Sequence, residues 1–274
     1  MEQVMKLKYF KEHWKPQVGS KKAELDVWNS ASREYRERII PAFEENVHLR
    51  KVTEMGMWNE DSVILDVGCG AGNYSVAFAK KCKKVIGTDV SEGMITAACE
   101  NAIRYCTPNT EFYQTDWHNF DLKEKGWEKQ FDLVFVNMTP ALQSYHTLEL
   151  LNQASKGWCY VSKPTNWKQS VTYELIRMLG IWEEYRIFDI DMLCAYDVLR
   201  LQGRNPYVDY TTDTWASDLE LSDAFEHYIQ RIEMKKLLSI QQKQKVREHL
   251  ERKAVNGRIQ DRTEVTISML SWKV

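Results

Sequence analysis

The sequence predicts an α/β fold, in which helices cover both faces of a mostly parallel sheet. Apolar runs of strand length alternate with helical stretches over residues 63–163. One of these runs ends in a glycine-rich turn that leads directly into a helical stretch. Aspartates stand near the ends of three successive predicted strands, at Asp66, Asp89 and Asp116. Because open α/β sheets bind ligands beyond the carboxyl ends of their strands, these acids predict a ligand site there.

The glycine-rich turn reads DVGCGAG over residues 66–72. Its glycines allow a tight turn and let a ligand approach main-chain N–H groups without a Cβ in the way. A dinucleotide fingerprint, GxGxxG, would need its last glycine at Asn73. The spacing instead resembles motif I of the class I S-adenosylmethionine (SAM)-dependent methyltransferases. In that family the turn holds the methionine part of SAM.

Later segments extend this resemblance. Asp89 ends the second predicted strand, where an acid can accept hydrogen bonds from the ribose hydroxyls. Ser91 follows as a predicted helix cap. The resemblance implies that Met94 lies on the adenine, that Asp116 accepts the adenine amino group, and that Trp117 supplies a backbone N–H or a stacking face.

The fourth predicted strand is followed by NMTP at residues 137–140, which corresponds to motif IV. This motif lines the methyl-transfer position in the resembled family. The segment lacks the double proline and the aromatic residue of nucleic-acid amine methyltransferases, which argues against an adenine or cytosine amine as the acceptor. The cofactor-binding residues that the resemblance implies are Asp66, Gly68, Cys69, Gly70, Asn73, Asp89, Val90, Met94, Asp116, Trp117, Asn137 and Met138.

Two helical regions are candidates for covering the site. Residues 28–35 fit WxxxAxxY, which resembles a segment that covers the cofactor in small-molecule methyltransferases, with its tyrosine facing the active site. The alternative is that Trp28 and Tyr35 form one apolar stripe on the core. The aromatic-rich block 164–204, which includes Tyr196, is interpreted as a substrate lid or, alternatively, a structural helical pair. Predicted substrate-binding residues are Trp28, Tyr35 and Tyr196.

Candidate catalytic residues, as a base or an orienting group, are Tyr35, His118, Tyr145 and His146. For the two histidines the alternative is a structural or exposed side chain. Methyl transfer from a sulfonium is an in-line displacement, so orientation carries much of the catalysis. A general base is needed only when the acceptor must lose a proton.

The complete fold prediction is a seven-stranded, mostly parallel Rossmann-like sheet with an antiparallel last strand. An N-terminal helical cap covers residues 1–55, with helices at 20–38 and 39–55. A SAM-binding α/β core follows at 56–163. The helical insertion at 164–204 lies between strands 5 and 6, and residues 205–274 complete the core.

Composition limits the partners that we expect. The 274 residues carry a formal net charge of −2, so no overall basic field exists to hold a phosphate backbone. No apolar stretch approaches the ~20 residues that span a bilayer, and no signal peptide is evident. The six cysteines are scattered, so neither a metal site nor a disulfide framework is expected. We therefore predict a cytoplasmic monomer or homodimer that has a small-molecule acceptor and binds no nucleic acid or membrane.

The predicted function is a SAM-dependent methyltransferase that moves the SAM methyl group to a small molecule and releases S-adenosyl-L-homocysteine. Two alternatives remain at this point. One is a SAM-binding protein without methyl transfer, and the other is a nicotinamide-dependent oxidoreductase.

Overall fold

A computed structural model gives the architecture of the chain, and it describes residues 2–16, 21–168, 171–181, 190–234 and 236–274. Seven strands form one sheet in the order β3-β2-β1-β4-β5-β7-β6. They are β1 (Val63–Val67), β2 (Lys84–Asp89), β3 (Thr110–Gln114), β4 (Phe131–Asn137), β5 (Ser155–Lys168), β6 (Tyr207–Glu220) and β7 (Arg258–Lys273).

Strands β1 to β5 pair in parallel, while β7 lies antiparallel to both β5 and β6. This is the predicted seven-stranded Rossmann-like sheet with an antiparallel last strand, and the fold prediction is confirmed. The central strands are buried on both faces, which explains why they read as continuous apolar runs rather than alternating ones.

The described α-helices are α1 (Glu2–His13), α2 (Lys21–Glu37), α3 (Val47–Glu54), α4 (Asn73–Ala79), α5 (Glu92–Arg104), α6 (Tyr145–Ala154), α7 (Val171–Leu179), α8 (Ile190–Leu201), α9 (Leu221–Glu233) and α10 (Ile240–Lys253). A short 3₁₀ helix spans Trp117–Asn119. None of the described helices is both long and apolar enough to cross a membrane.

The sheet separates two large hydrophobic clusters. On one face, Leu65, Val134 and Val161 pack with α6, α8 and Trp14. On the other face, Ile64 and Phe135 pack with α3 and α4. The helices on the two faces lie on either side of the carboxyl ends of the strands, which is where the predicted ligand residues lie.

A third cluster packs on the end of the sheet that the β6–β7 hairpin forms. It joins α7, α9 and α10 around Tyr228, Val246 and Ile259. The hairpin reaches this cluster because β6 and β7 pair from Tyr207 and Ser271 to Glu220 and Arg258. Helix α8 instead joins the sheet cluster with α6. The proposed lid at 164–204 thus contributes to two different clusters, and the part of it at 182–189 lies outside the described residues.

The region 39–55 differs from the predicted helix. Residues 39–46 form turns, and only Val47–Glu54 is helical. Pro41 lacks a backbone N–H and disfavours helical angles at Ile40, so the helix cannot begin there. The Asn46 side chain accepts hydrogen bonds from the backbone N–H groups of His48 and Leu49 and caps α3. The predicted helical position of Pro41 is therefore wrong.

Trp272 on β7 provides a test of the packing. Its ring is 0% exposed, and its Nε1 donates to Asn152 Oδ1 at 2.8 Å. We expect Trp272→Ala to lower the free energy of unfolding by about 3–5 kcal/mol, since it leaves a cavity and an unpaired oxygen. Urea unfolding measures this. The control Tyr210→Ala, at an edge-strand residue that is 61% exposed, should change it by less than about 0.5 kcal/mol. Equal losses in both variants would contradict this packing.

Candidate active site

The glycine turn between β1 and α4 adopts a backbone that favours glycine. Gly68, Gly70 and Gly72 have φ angles of 70°, 55° and 74°. The N–H groups of Gly68 and Cys69 both donate to the carbonyl of Thr88, at 2.7 and 2.9 Å. These bonds fix the turn to the end of β2, while the Cys69 side chain is buried beneath it.

The surroundings of the turn differ from one glycine to the next. A methyl group on Gly68 would lie 2.1 Å from Thr139 Oγ1, so the loop after β4 packs directly on this glycine. A methyl group on Gly70 would meet only the Tyr35 ring at 3.8 Å and the Met94 sulfur at 4.0 Å. A Cβ at Gly70 would therefore make only ordinary van der Waals contacts, with an aromatic ring and a thioether.

Asp89 joins this turn to the start of α5. Its Oδ2 accepts from the Gly70 N–H at 3.0 Å, and its Oδ1 accepts from the Ser91 N–H at 2.9 Å. Burial raises the pKa of Asp89, and these backbone donors oppose that rise. The Val90 N–H is a third backbone donor to this carboxylate. Because an ionised carboxylate has about four acceptor sites, the group can still accept from a ribose hydroxyl. The residues around Asp89 therefore fit the sugar of SAM.

Helix α2 covers the turn. Trp28 and Tyr35 pack against Ala71 and Met94, and the two aromatic rings meet edge to face with centroids 6.3 Å apart. Asn29 Oδ1 accepts from Ser91 Oγ at 2.7 Å and from the Gly93 N–H at 3.1 Å, which ties α2 to the start of α5.

Asn73 ties the end of α2 to the start of α4. Its Nδ2 donates to the carbonyl of Tyr35 at 3.2 Å, and its Oδ1 accepts from Asn101 Nδ2 at 3.2 Å. The structure thus brings Trp28, Tyr35 and Asn73 together with the turn. Val90 is half-buried, and its carbonyl accepts from Gln114 Nε2 at 3.2 Å.

Asp116 lies beyond β3, and its carboxylate is already engaged. Lys21 Nζ and Asn119 Nδ2 donate to Oδ2 at 2.5 and 2.7 Å, and the His118 N–H donates to Oδ1 at 3.1 Å. Burial opposes ionisation, but these donors outweigh it and hold the pKa of Asp116 below its ordinary value. Lys21 would have to share or release this carboxylate for an adenine amino group to reach it.

Trp117 and His118 each carry a buried nitrogen without a hydrogen-bond partner in the described part of the chain. The nitrogens are Trp117 Nε1 and His118 Nδ1. Trp117 is 4% exposed and stacks on Phe120 with centroids 5.4 Å apart. Burial lowers the pKa of His118, with Asp116 opposing the shift and His146 among the groups that add to it. The two candidate histidines thus lie close enough for their charges to interact.

The other predicted residues occupy separate positions. His146 is exposed at the start of α6, and the neighbouring Tyr145 is half-buried against the sheet cluster. Burial raises the pKa of Tyr145. Tyr196 lies on α8 and is 37% exposed. The described contacts do not connect Tyr196 to the glycine turn.

Asp66 lies inside β1 rather than beyond its end. It is 2% exposed, and its Oδ2 accepts from Ser75 Oγ at 2.6 Å. This bond links β1 to α4 beneath the turn. Asp66 therefore supports the turn from below. The packed turn lies between Asp66 and a ligand bound above the turn.

The loop after β4 is fixed by β5. Met138 has a φ of 56°, and its N–H donates to the Ser162 carbonyl at 2.9 Å. Ser162 Oγ donates to Asn137 Oδ1, so this predicted cofactor-binding oxygen is bonded within the protein.

Sequence reasoning missed a group of polar residues beside this loop. Asn46 Nδ2 donates to the Tyr74 hydroxyl at 3.1 Å, and His48 Nδ1 lies 2.7 Å from the Tyr160 hydroxyl. Tyr74 stands two residues after Gly72, and that proximity to the turn is a signal that could have found it. His48 has no such signal, because only the packing of α3 on the sheet places it there.

Comparison with known proteins classifies this arrangement. Residues 64–157 match the family described as a methyltransferase domain. The match begins in β1 and includes the glycine turn, Asp89, Asp116 and the loop after β4.

Curated relatives match part of the chain. The 23S rRNA (uracil(1939)-C(5))-methyltransferase RlmD of Alcanivorax borkumensis is 35% identical over 78 residues, which are 28% of this chain and 17% of the relative. RlmD of Haemophilus parainfluenzae is 28% identical over 137 residues, which are 49% of this chain and 30% of the relative. The chain therefore spans less than a third of the length of these relatives.

Solved structures share the fold over a longer stretch. YcgJ from Bacillus subtilis has a TM-score of 0.51 at 14% identity, covering 82% of this chain and 96% of its own. The phosphoethanolamine N-methyltransferase 2 of Haemonchus contortus, solved with phosphomonomethylethanolamine and S-adenosylhomocysteine, has a TM-score of 0.51 at 13% identity. That match covers 88% of this chain and 56% of the other. At these identities the likeness shows the fold.

The domain match over residues 64–157 and the order of the strands support a class I, Rossmann-like SAM-dependent methyltransferase. This confirms the class that the glycine turn predicted, together with SAM as the cofactor of that class. The missing third glycine of a dinucleotide fingerprint had already disfavoured the nicotinamide alternative.

The partner prediction is wrong. The curated relatives act, by their names, on 23S rRNA, which contradicts a small-molecule acceptor with nucleic acid excluded. The prediction rested on a net charge of −2, which is a sum over the whole chain. A net charge does not report how Lys and Arg are distributed around a site, so it cannot exclude RNA.

Asp66 predicts a pH dependence of stability. Burial raises its pKa to about 7, from an ordinary value of about 4 in the unfolded chain. Between these values the folded protein holds a proton that the unfolded chain has lost, so this group lowers stability as pH rises from about 4 to 7. We expect Asp66→Asn to remove that loss. The free energy of unfolding of the variant minus that of the native protein should rise by at least ~1 kcal/mol between pH 5 and pH 7.5.

Urea unfolding at the two pH values measures this difference. The control Asp61→Asn, at an exposed turn residue, should follow the native pH dependence. Parallel pH profiles for the native protein and Asp66→Asn would show that the buried carboxyl does not carry the effect.

Proposed function

We propose that this chain binds SAM at the carboxyl ends of β1 to β4 and transfers its methyl group to an acceptor. The observation that carries the proposal is the Asp89 carboxylate, which accepts from the Gly70, Ser91 and Val90 N–H groups and keeps acceptor capacity for a ribose hydroxyl. This arrangement lies in a segment that matches a methyltransferase domain.

The sheet order supports one orientation of the cofactor. Asp116 follows β3, Asp89 ends β2, the glycine turn follows β1 and Asn137 ends β4, and these strands are neighbours in the order β3-β2-β1-β4. Adenine, ribose and methionine would then lie over successive strands. The methionine end would lie on the side of β1 and β4.

The bound cofactor supplies a methyl group that the positive sulfur has already activated. The chain has to bind, orient and exclude water. Trp28 and Tyr35 place aromatic surface over the turn, and Asn29 fixes their helix to α5. Orientation of this kind supplies on the order of 7–11 kcal/mol in well-aligned intramolecular reactions.

Asp89 gives the first test. Isothermal titration calorimetry of the native protein should show SAM binding with a micromolar Kd. Asp89→Ala should weaken binding by about 10- to 100-fold, because it removes the charged acceptor of the ribose hydroxyl. Asp89→Asn keeps one carbonyl oxygen and should give an intermediate Kd.

The matched control is Asp26→Ala, at an exposed acid on α2, which should bind SAM like the native protein. Thermal melts establish that each variant is folded. A folded native chain without SAM affinity would contradict the proposal, and the same preparation should then be titrated with NADH.

A second experiment follows the methyl group. The native protein is incubated with SAM labelled in its methyl group and with two acceptor pools, purified ribosomal RNA and a small-metabolite extract. Methyl label that appears in either pool with the native protein, but not with Asp89→Ala, establishes transfer and identifies the acceptor class. SAM binding without label in either pool would favour the alternative of a SAM-binding protein without transfer.

A further inference from the structure

Six polar residues form a ring of contacts beside the glycine turn, on the face of the sheet that α3 covers, and the backbone N–H of His48 closes it by donating to Asn46 Oδ1. Its members are Asn46, His48, Tyr74, Asn137, Tyr160 and Ser162. Four separate parts of the chain meet here, since the residues come from the start of α3, the first turn of α4, the end of β4 and the middle of β5.

The donors and acceptors of the ring can be assigned around Tyr74. Ser162 Oγ donates its proton to Asn137 Oδ1. The Asn137 side chain also lies near the Tyr74 hydroxyl. Asn46 Nδ2 donates to the same hydroxyl at 3.1 Å.

The Tyr74 hydroxyl oxygen is therefore an acceptor for the Asn46 amide. The proton of this hydroxyl has no acceptor among the described residues. Burial raises the pKa of Tyr74 despite the two amides, so the group stays protonated at neutral pH. Tyr74 is half-buried rather than fully enclosed.

His48 and Tyr160 complete the ring without adding a charge. His48 Nδ1 lies 2.7 Å from the Tyr160 hydroxyl, and burial lowers the pKa of His48 to about 4. The Tyr160 hydroxyl reaches Ser162. Because the Asn137 amide separates these groups from Tyr74 and cannot pass on a proton, the ring sets positions and does not relay protons.

The position of Tyr74 matches the methionine end of SAM in the proposed orientation. Tyr74 is the second residue of α4, and Asn137 is the last residue of β4. Strands β1 and β4 are neighbours on the side of the sheet away from Asp116. Methionine ends in a carboxylate, which accepts hydrogen bonds from neutral donors.

The anionic neighbours of Tyr74 are already hydrogen-bonded. The field of Asp66 and Asp213 reaches the Tyr74 hydroxyl. Asp66 accepts from Ser75 Oγ, and the Asp213 carboxylate accepts from the Thr214 N–H at 2.7 Å and from Trp215 Nε1 at 3.1 Å. Neither carboxylate takes the Tyr74 proton.

We propose that the Tyr74 hydroxyl donates a hydrogen bond to the carboxylate of SAM, and that the ring holds this hydroxyl in place. The inference rests on the SAM binding proposed above. It assigns to Tyr74 a cofactor contact that the sequence had assigned to Asn137, whose amide is engaged inside the ring.

A comparison of two ligands tests this contact. Calorimetry measures the Kd of SAM and of decarboxylated SAM, which lacks the carboxylate, for the native protein and for Tyr74→Phe. The variant should bind SAM about tenfold more weakly, because it loses a hydrogen bond to a charged group. Its Kd for decarboxylated SAM should stay within about twofold of the native value, since the bond does not exist there.

Two further variants separate this contact from a structural role. Tyr160→Phe removes a hydroxyl from the same ring and should change both Kd values by the same small factor. Asn46→Ser keeps a side chain that can cap α3 but loses the amide donor to Tyr74. It should weaken SAM binding by about threefold relative to decarboxylated SAM, and it serves as the test if Tyr74→Phe does not fold.

Two results would overturn the inference. Equal weakening of both ligands in Tyr74→Phe would mean that the hydroxyl acts only through packing, and unchanged affinity for both would mean that it makes no contact. Either result leaves SAM binding by the native protein intact. Failure of the native protein to bind SAM would instead contradict the proposed function itself.

Discussion

The left-handed backbone of the glycine turn is the constraint on which the rest of the site depends. Gly68, Gly70 and Gly72 each hold a positive φ, which costs other residues about 1 kcal/mol or more. This conformation aims the Gly70 N–H at the Asp89 carboxylate and leaves room for Tyr35 beside it. The ends of β1 and β2 are thereby held at a fixed separation.

Three layers of contacts then build on that turn. Below it, Asp66 and Ser75 join β1 to α4. Above it, α2 lies over the turn and is fixed to α5 by Asn29. Beside it, the polar ring of Tyr74 joins α4 to the ends of β4 and β5. The ligand site thus lies between elements that are each bonded to the glycine turn. Rigid elements of this kind can hold bound reactants in a fixed orientation.

The helices fall into two groups, and the site includes residues that lie outside the sequence motifs. Helices α3, α4, α6 and α8 pack on the sheet, whereas α7, α9 and α10 form their own cluster on the β6–β7 hairpin. The motif residues come from the first half of the chain, while the second half supplies Ser162 in the ring and Asp213 beside it. RlmD of Alcanivorax borkumensis matches 28% of this chain, so most of the chain has no counterpart in that match.

The sheet, the glycine turn and the acids could be predicted from the sequence, because strand periodicity and glycine spacing are local properties of the chain. Which of those residues have atoms left for a ligand depends on how the chain folds. Asp89 keeps lone pairs, whereas the Asp66 carboxylate is buried against Ser75 and the Asn137 amide bonds Ser162 and Tyr74. Hydrogen bonds between residues far apart in sequence fix these roles, and no local pattern encodes them.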